Sequence, residues 1–245
     1  MSNTAVISNT AVMSNTSSSA TRAIAHARIS ISRRFTISAE ITSFSDAWQT
    51  QSESATAARG RSVEINTYAP SPTSAALLTT LVAAAVAKAV VEVGTGTGIT
   101  GLAIFAGMAT DGILTTIDAD AQHQSAAKTA FASAAVDAGR ARLITGAPGD
   151  VLPRLTDAAY DVVVINDPSA DPQGYFEQAL RLLRPGGVVV IARALGEGSK
   201  VADLGQRDPQ TSALRELCDA AKANEETVSA LVPLDEGILV AVKQA

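Results

Sequence analysis

Glycine occupies every second position of a short segment that directly follows an apolar run. The segment reads Val90-Val91-Glu92-Val93-Gly94-Thr95-Gly96-Thr97-Gly98, and Ile99-Thr100-Gly101 follows it. Glycine carries no side chain that would keep a ligand away from the backbone, and the first amides of a helix have no partner inside that helix. A strand, a glycine-rich turn and a helix start in this order predict a site that cradles a nucleotide.

Two classes of cofactor fit these glycines. Residues 96–101 satisfy the dinucleotide pattern G-x-G-x-x-G, and Asp118 lies at about the distance expected of an acid that binds ribose. In the other frame, Glu92-x-Gly94-x-Gly96-x-Gly98 resembles the first motif of class I S-adenosylmethionine-dependent methyltransferases, whose glycines admit the methionine part of the cofactor. The spacing alone leaves both interpretations open.

The elements that must position this turn alternate regularly. Apolar runs predict five strands, and helical segments separate them. A strand and a helix that take turns in this way predict a parallel sheet with helices on both faces. The predicted strands are 89–93, 113–118, 141–145, 161–165 and 188–192, and the predicted helices between them are 98–108, 121–136, 150–155 and 173–183.

The end of the chain distinguishes the two cofactor classes. A helix over 210–223 precedes two predicted strands, 226–231 and 237–242, and the short link between these strands cannot hold a crossover, so they must run antiparallel. A seventh strand that lies antiparallel beside the fifth is typical of class I methyltransferases. The sequence therefore favours a Rossmann-like α/β methyltransferase sheet of seven strands in the order 3-2-1-4-5-7-6.

The amino-terminal part differs in composition from the rest. Residues 1–38 contain repeated Ser-Asn-Thr, four arginines and no acidic residue. Such a segment buries too little apolar area to offset its ordering entropy, so we predict a disordered arm, although an acid-poor Ser/Arg arm also resembles an organelle transit peptide. Residues 39–245 are predicted to form the methyltransferase domain, with 43–72 as an amino-terminal helix and lid segment.

Within this lid segment, residues 43–61 predict an amphipathic helix, and an extended stretch leads to Pro70-Ser71-Pro72. Thr73 is the expected N-cap of a further helix over 74–86.

Composition limits the partners. A net charge of -5 over 245 residues offers no basic surface for nucleic acid. The lone Cys218 excludes an internal disulfide, and no apolar run approaches the roughly 20 residues needed to cross a bilayer. We expect a cytoplasmic protein with a small-molecule site and neither a nucleic-acid nor a membrane partner.

Side chains near the strand ends complete the predicted cofactor site. Asp118 is expected to accept both ribose hydroxyls, whereas Asp120 suits the N-cap of the next helix. Glu92 is costly to bury unpaired and is expected to bind a nearby amide or the ammonium of the cofactor. Small residues after the third strand are expected to lie against adenine. The predicted S-adenosylmethionine-binding set is Glu92, Gly94, Thr95, Gly96, Gly98, Asp118, Gly146 and Ala147.

From about residue 43 to its end the chain resembles the small O-methyltransferases grouped with catechol and caffeoyl-CoA O-methyltransferases, in particular their actinobacterial members. The resemblance implies S-adenosylmethionine as cofactor, a hydroxylated small molecule as methyl acceptor, and a homodimer. It rests on Val91-Glu92-Val93-Gly94-Thr95-Gly96-Thr97-Gly98, Thr116-Ile117-Asp118, Gly146-Ala147 through Leu152-Pro153, Tyr160-Asp161-Val162-Val163-Val164-Ile165, and Tyr175 through Leu183-Arg184-Pro185-Gly186-Gly187.

The metal ligands of that family are not preserved here. In its metal-dependent members an aspartate after strand four and an Asp-Asn pair after strand five hold a divalent cation, usually magnesium. This chain has Asn166 and Ala192-Arg193 at those positions, and an arginine would place a positive charge where the ion should lie. We therefore predict no metal site. A shifted site at Asp167, Asp171 and Asn166 is conceivable, although both Asp-Pro pairs also suit turns.

No catalytic base stands out. A methyltransferase can work without a metal when the cofactor and the acceptor are held in line. The lost ligands equally suit a non-catalytic cofactor-binding protein, and the dinucleotide pattern leaves an NAD-dependent oxidoreductase as a further alternative.

Overall fold

The structure is a computed structural model that describes residues 38–245. The chain divides between Ser45 and Asp46 into two units. In the first unit the structure describes only residues 38–45, where the Ser38 hydroxyl accepts a hydrogen bond from the amide of Ile41. The predicted arm, residues 1–38, lies outside the described residues apart from Ser38.

A seven-stranded sheet forms the centre of the second unit, in the order β3-β2-β1-β4-β5-β7-β6. The strands are β1 (Ala89–Val93), β2 (Ile113–Asp118), β3 (Ala141–Thr145), β4 (Tyr160–Ile165), β5 (Leu183–Ala192), β6 (Thr227–Val232) and β7 (Ile238–Lys243). The first five pair in parallel, whereas β7 runs antiparallel to both β5 and β6. The predicted strand order and the antiparallel ending are confirmed.

Helices connect the strands. They are α1 (Ala39–Trp48), α2 (Glu53–Glu64), α3 (Pro72–Ala84), α4 (Ile99–Gly107), α5 (Ala121–Ser133), α6 (Pro148–Val151), α7 (Pro172–Leu182) and α8 (Pro209–Ala223). Short 3-10 turns cover Ala138–Arg140, Leu152–Arg154 and Glu197–Ala202. Among the helices of residues 38–245, none combines the length and apolar character that crossing a membrane requires.

Two boundaries near the amino terminus differ from the predictions. The single helix expected over 43–61 is instead α1 and α2, because the Ser52 hydroxyl accepts a hydrogen bond from the amide of Ala55 and begins a new helix there. The N-cap of α3 is Ser71 and not Thr73, and Pro72 follows it at the first helical position, where proline is favoured. Thr73 instead donates from its amide to Asp46.

The core has two layers, one on each face of the sheet. Successive strand residues point to opposite faces, so Val90 and Val91 are both fully buried but belong to different layers. One layer packs β1 and β4 against α7 and α8, and the other packs them against α3, α4 and α5. Parallel strands covered on both faces explain the continuous apolar runs of the sequence. The carboxyl ends of β1, β2, β4 and β5 therefore meet at one edge.

Candidate active site

A cavity of about 220 Å³ lies at this edge. Its walls come from the segment between α2 and α3, from the glycine turn after β1, from the end of β2, and from the residues after β4 and β5. The lining residues are 66–68, 94–97, 99–100, Asp118, Asn166, Asp167 and Arg193. Of the predicted cofactor-binding residues, Gly94, Thr95, Gly96 and Asp118 line this cavity.

The glycine turn has a left-handed backbone at alternate positions. Gly94 and Gly98 have φ angles of +85° and +86°, which residues with a side chain adopt only under strain. A Cβ atom on Gly98 would also lie 3.0 Å from the Cα of Ala127 in α5. Gly98 therefore lets α4 begin close to α5, while the other glycines leave the backbone open toward the cavity.

Asp118 joins the end of β2 to this turn. Its Oδ2 accepts a hydrogen bond from the Gly96 amide at 3.2 Å, and its Oδ1 accepts one from the Asp120 amide at 2.9 Å. The Nδ1 of His123 lies 3.0 Å from the same Oδ2. Asp120 is the N-cap of α5, as predicted, because its Oδ1 accepts from the amide of Gln122. Of the two acids, only Asp118 faces the cavity.

Glu92 lies behind the turn and is fully buried. Its Oε2 accepts a hydrogen bond from Thr116 at 2.6 Å, and its Oε1 accepts one from the Nδ2 of Asn166 at 3.2 Å. Burial raises the pKa of Glu92 to about 8, and these two hydrogen bonds only partly oppose that effect. The structure thus provides the first of the two predicted partners, a nearby amide. The same Nδ2 also donates to the Gly94 carbonyl at 2.7 Å.

A chain of buried polar side chains continues from Glu92. The Thr116 hydroxyl lies 2.6 Å from that of Thr95, which accepts a hydrogen bond from the Nε2 of Gln124 at 3.1 Å. The same Nε2 donates to the carbonyl of Ile144, which fixes the amide orientation. These hydrogen-bonded side chains thus hold the glycine turn in place from the buried side. Thr116 and Gln124 were not predicted as site residues, since nothing in the local sequence marks a buried glutamine as part of a site.

Thr97 presents an unpaired polar group to the cavity. Its hydroxyl is buried and has no hydrogen-bond partner among the described residues. A buried hydroxyl without a partner is costly, and a polar ligand in the cavity would provide one.

Gly146 and Ala147 follow β3. The Gly146 amide donates to the Asp118 carbonyl at 2.9 Å, which holds this segment beside the end of β2. Neither residue lines the cavity of about 220 Å³ itself. Their contact with adenine stays a prediction.

The opposite end of the cavity carries an arginine held by charged neighbours. Arg193 directly follows β5, and its Nε donates to the Oε2 of Glu236 at 2.7 Å. Its Nη1 lies 3.8 Å from the Oδ2 of Asp167, and its guanidinium carbon lies 5.6 Å from the centre of the Tyr68 ring. Glu236 belongs to the turn between β6 and β7. Sequence reasoning found neither Tyr68 nor Glu236, because both reach Arg193 only through the tertiary fold.

The segment that carries Tyr68 is fixed at its end. The amide of Ser71 donates to the Oδ2 of Asp235 at 2.9 Å, and Arg59 of α2 donates to the carbonyl of Pro70. The wall formed by residues 66–68 is thus connected to α2 and to the β6–β7 turn.

These residues do not fit a divalent metal. The Nδ2 of Asn166 donates to Glu92 and Gly94, and its Oδ1, the atom that could hold a cation, accepts a hydrogen bond from Thr100 at 3.4 Å. Arg193 brings a positive charge to the position of the expected ligand pair. At the shifted site that the sequence left conceivable, Asp167 accepts from the amide of Ser169, and Asp171 is the N-cap of α7, so both acids serve turns. Within residues 38–245 no group of three or more acidic, histidine or cysteine side chains is placed to hold a metal ion.

The fold and the glycine turn define the class. A sheet of order β3-β2-β1-β4-β5-β7-β6 with an antiparallel β7, a glycine turn after β1 and an acid at the end of β2 are the features of the Rossmann-like class I methyltransferases. The chain belongs to the O-methyltransferase family, whose sequence model matches residues 51–244. This family is S-adenosylmethionine-dependent, so S-adenosylmethionine is the cofactor of this O-methyltransferase. The assignment favours the methyltransferase interpretation of the glycines over the dinucleotide one.

Known relatives agree with this assignment. A relative from Mycobacterium sp. (strain JLS), named as an O-methyltransferase, is 44% identical over 187 residues, which cover 76% of this chain and 84% of the relative. A structure from Corynebacterium glutamicum is similar with a TM-score of 0.79 at 29% identity, covering 84% of this chain and 96% of that chain. The O-methyltransferase TomG from Streptomyces achromogenes, solved in complex with SAM, has a TM-score of 0.75 at 24% identity, covering 83% and 95%. At this level of identity, the similarity to TomG is evidence for the fold alone.

Proposed function

We propose that this O-methyltransferase binds S-adenosylmethionine in the cavity after β1 and methylates a hydroxyl group of a small molecule without a divalent metal. The observation that carries the proposal is the Asp118 carboxylate, which faces the cavity 3.2 Å from the amide of Gly96. Paired acceptor oxygens at this place suit the two hydroxyls of a ribose. When bound, the cofactor supplies an electrophilic methyl group on a sulfonium.

The amino acid end of the cofactor fits the glycine turn. Backbone amides there can donate to a carboxylate, and so can the hydroxyl of Thr97, which has no hydrogen-bond partner within residues 38–245. Glu92 lies beneath the turn and reaches the cavity through Asn166. A nearby ammonium group would favour the ionised form of Glu92, which burial alone disfavours. The adenine ring is assigned to Gly146 and Ala147, beside the end of β2.

The acceptor is assigned to the other end of the cavity, between Tyr68, Asp167 and Arg193. Holding an acceptor oxygen in line with the methyl group can by itself remove several kcal/mol from the barrier. The fixed position of the wall at residues 66–68 supports such orientation, because Arg59 and Asp235 hold the end of its segment. The replacement of acidic metal ligands by Asn166 and Arg193 supports the metal-free reaction.

Transfer of an isotope-labelled methyl group from S-adenosylmethionine to a panel of catechols, flavonoids and simple phenols tests this function. We expect methylated product in the presence of excess EDTA. Product that forms only after magnesium is added would contradict the metal-free reaction. Failure to bind S-adenosylhomocysteine at high micromolar concentration in calorimetry would contradict the cofactor site.

A non-catalytic cofactor-binding protein is the second candidate, since the metal ligands of relatives are replaced here. Cofactor binding together with no methylation of any phenol in the panel is its expected result, and a single methylated product excludes it.

The homodimer implied by the family resemblance, the absence of a nucleic-acid or membrane partner and the cytoplasmic location stay predictions. Sedimentation equilibrium over a concentration series would check the dimer.

A further inference from the structure

Arg193 has an unusual backbone conformation for its residue type. Its φ angle is +59°, in the left-handed region that long side chains rarely adopt. The next two residues are fixed to the β6–β7 turn, since the Ala194 amide donates to the Gly237 carbonyl at 3.0 Å and the Leu195 amide donates to the Glu236 carbonyl at 2.8 Å. Strain of this kind persists only where the surroundings enforce it, and it is concentrated at functional sites.

Most donors of the Arg193 guanidinium group have no hydrogen-bond partner in the part of the chain that the structure describes. Only Nε makes a hydrogen bond to a described residue, the one to Glu236. Nη1 lies 3.8 Å from Asp167, beyond hydrogen-bond distance, and neither terminal nitrogen has a hydrogen-bond partner in residues 38–245. Glu236 thus fixes the plane of the group, and the terminal N–H groups are available to the cavity that Arg193 lines.

Three titratable groups surround Arg193. Burial alone would lower the pKa of Arg193, but the hydrogen bond that Arg193 donates to Glu236 and the charges of Glu236 and Asp167 raise it overall. Burial, assisted by the charge of Asp235, raises the pKa of the Tyr68 hydroxyl, so its ring stays neutral beside the guanidinium. Among the residues that line the cavity, Arg193 is the permanent cation at the acceptor end, and the nearby carboxylates of Glu236 and Asp167 offset part of its charge.

We infer that the Arg193 guanidinium binds the ionised hydroxyl oxygen of the methyl acceptor, in the role that a divalent cation has in metal-dependent relatives, and that the acceptors are acidic phenols. This inference rests on the proposed function and gives its substrate class. The phenol loses its proton to solvent, because the adjacent cation stabilises the phenolate. The phenolate oxygen then forms the new O–CH₃ bond with its electron pair, while the S–CH₃ bond breaks and its electron pair stays on sulfur. Glu236 is a positioning residue in this arrangement.

The ionisation of a chromophoric phenol tests the inference without turnover. 4-Nitrophenol absorbs visible light as the phenolate, so its pKa can be read while it is bound to the protein loaded with S-adenosylhomocysteine. We expect the bound probe to have a pKa about one unit lower than in solution, because the carboxylates of Glu236 and Asp167 offset part of the effect of the guanidinium group. Arg193→Gln should abolish this shift, whereas Arg193→Lys, which keeps the charge, should retain part of it.

Controls separate the inference from the proposed function. Arg142 is an exposed arginine of β3 that lies outside the cavity, and Arg142→Gln should leave the probe shift unchanged. Calorimetry with S-adenosylhomocysteine on each variant shows whether the cofactor site is intact. The inference is wrong if S-adenosylhomocysteine binds but 4-nitrophenol does not bind or binds with an unshifted pKa. It is also wrong if Arg193→Gln shifts the pKa of the probe as the wild type does. In each of these cases the proposed cofactor site is retained. If the cofactor product does not bind to the wild type, the proposed function is wrong.

Discussion

The two ends of the cavity are built in different ways. The cofactor end uses backbone amides, glycines and a buried chain of mostly neutral side chains that runs from Gln124 to Glu92. The acceptor end uses charged side chains from segments far apart in the chain, such as Arg193 and Glu236, which are 43 residues apart. The first end has the features of the methyltransferase class, whereas the second has Asn166 and Arg193 at positions where the family resemblance implies metal ligands. In the proposed assignment, cofactor binding therefore depends mainly on the backbone of the glycine turn, while acceptor binding depends on a few charged side chains.

The largest effect of a single substitution on stability at a fixed pH is predicted for the glycine turn. Gly98→Ala forces a side chain into a left-handed backbone and toward the Cα of Ala127 at 3.0 Å, so we expect a loss of about 2 to 4 kcal/mol in the free energy of unfolding. Gly60 lies inside α2 with nothing within 4 Å of an added Cβ, and Gly60→Ala should stabilise by about 0.5 to 1 kcal/mol. Urea denaturation measures both. Equal changes in the free energy of unfolding for the two substitutions would contradict the claim that the glycine turn has no room for a side chain at Gly98.

The buried Glu92 predicts a pH dependence of stability. Its pKa is about 8 in the folded protein and close to 4.5 when exposed, so the folded state binds the extra proton between these values. The free energy of unfolding should therefore decrease as the pH rises from about 4.5 to about 8, and this contribution should be constant above that. Because one pKa unit corresponds to about 1.4 kcal/mol, the decrease should amount to a few kcal/mol.

Glu92→Gln should lack this decrease. The measurement is the difference in the free energy of unfolding between wild type and variant over pH 5 to 9, which removes the contributions of other groups. A difference that is constant over this range would show that Glu92 does not titrate as the structure implies.

A smaller effect on stability is expected for substitutions at the acceptor end of the cavity. The side chains of Arg193 and Glu236 are 28% and 29% exposed, so Glu236→Gln should cost about 1 kcal/mol of stability and leave the affinity for S-adenosylhomocysteine within about twofold. The pair Lys88 and Asp111 is largely exposed, and Asp111→Asn should have no measurable effect. Thermal denaturation measures the stability of each variant, and calorimetry measures its affinity for S-adenosylhomocysteine. A large loss of cofactor affinity in Glu236→Gln would show that the two ends are not separate.

The sequence was sufficient where the relevant contacts are local. Strands and helices followed from apolar runs, and the position of Asp118 at the cavity could be expected because it ends a strand next to the glycine turn. The break between α1 and α2 was missed because Ser52 lies among other polar residues that would cap a helix equally well. The sequence showed that Arg193 is unsuited to bind a metal ion. Its contacts with Glu236 and Tyr68 could not be predicted, because they depend on tertiary packing that no local pattern records.

The most direct test of the cofactor site compares two neighbouring acids. Asp118 faces the cavity, whereas Asp120 caps α5. Calorimetry with S-adenosylhomocysteine should show that Asp118→Ala weakens binding about 10- to 100-fold, as expected for the loss of hydrogen bonds to a charged group, and that Asp120→Ala binds as the wild type does. Unchanged affinity in Asp118→Ala would contradict the assignment of the ribose to this carboxylate and, with it, the placement of the cofactor.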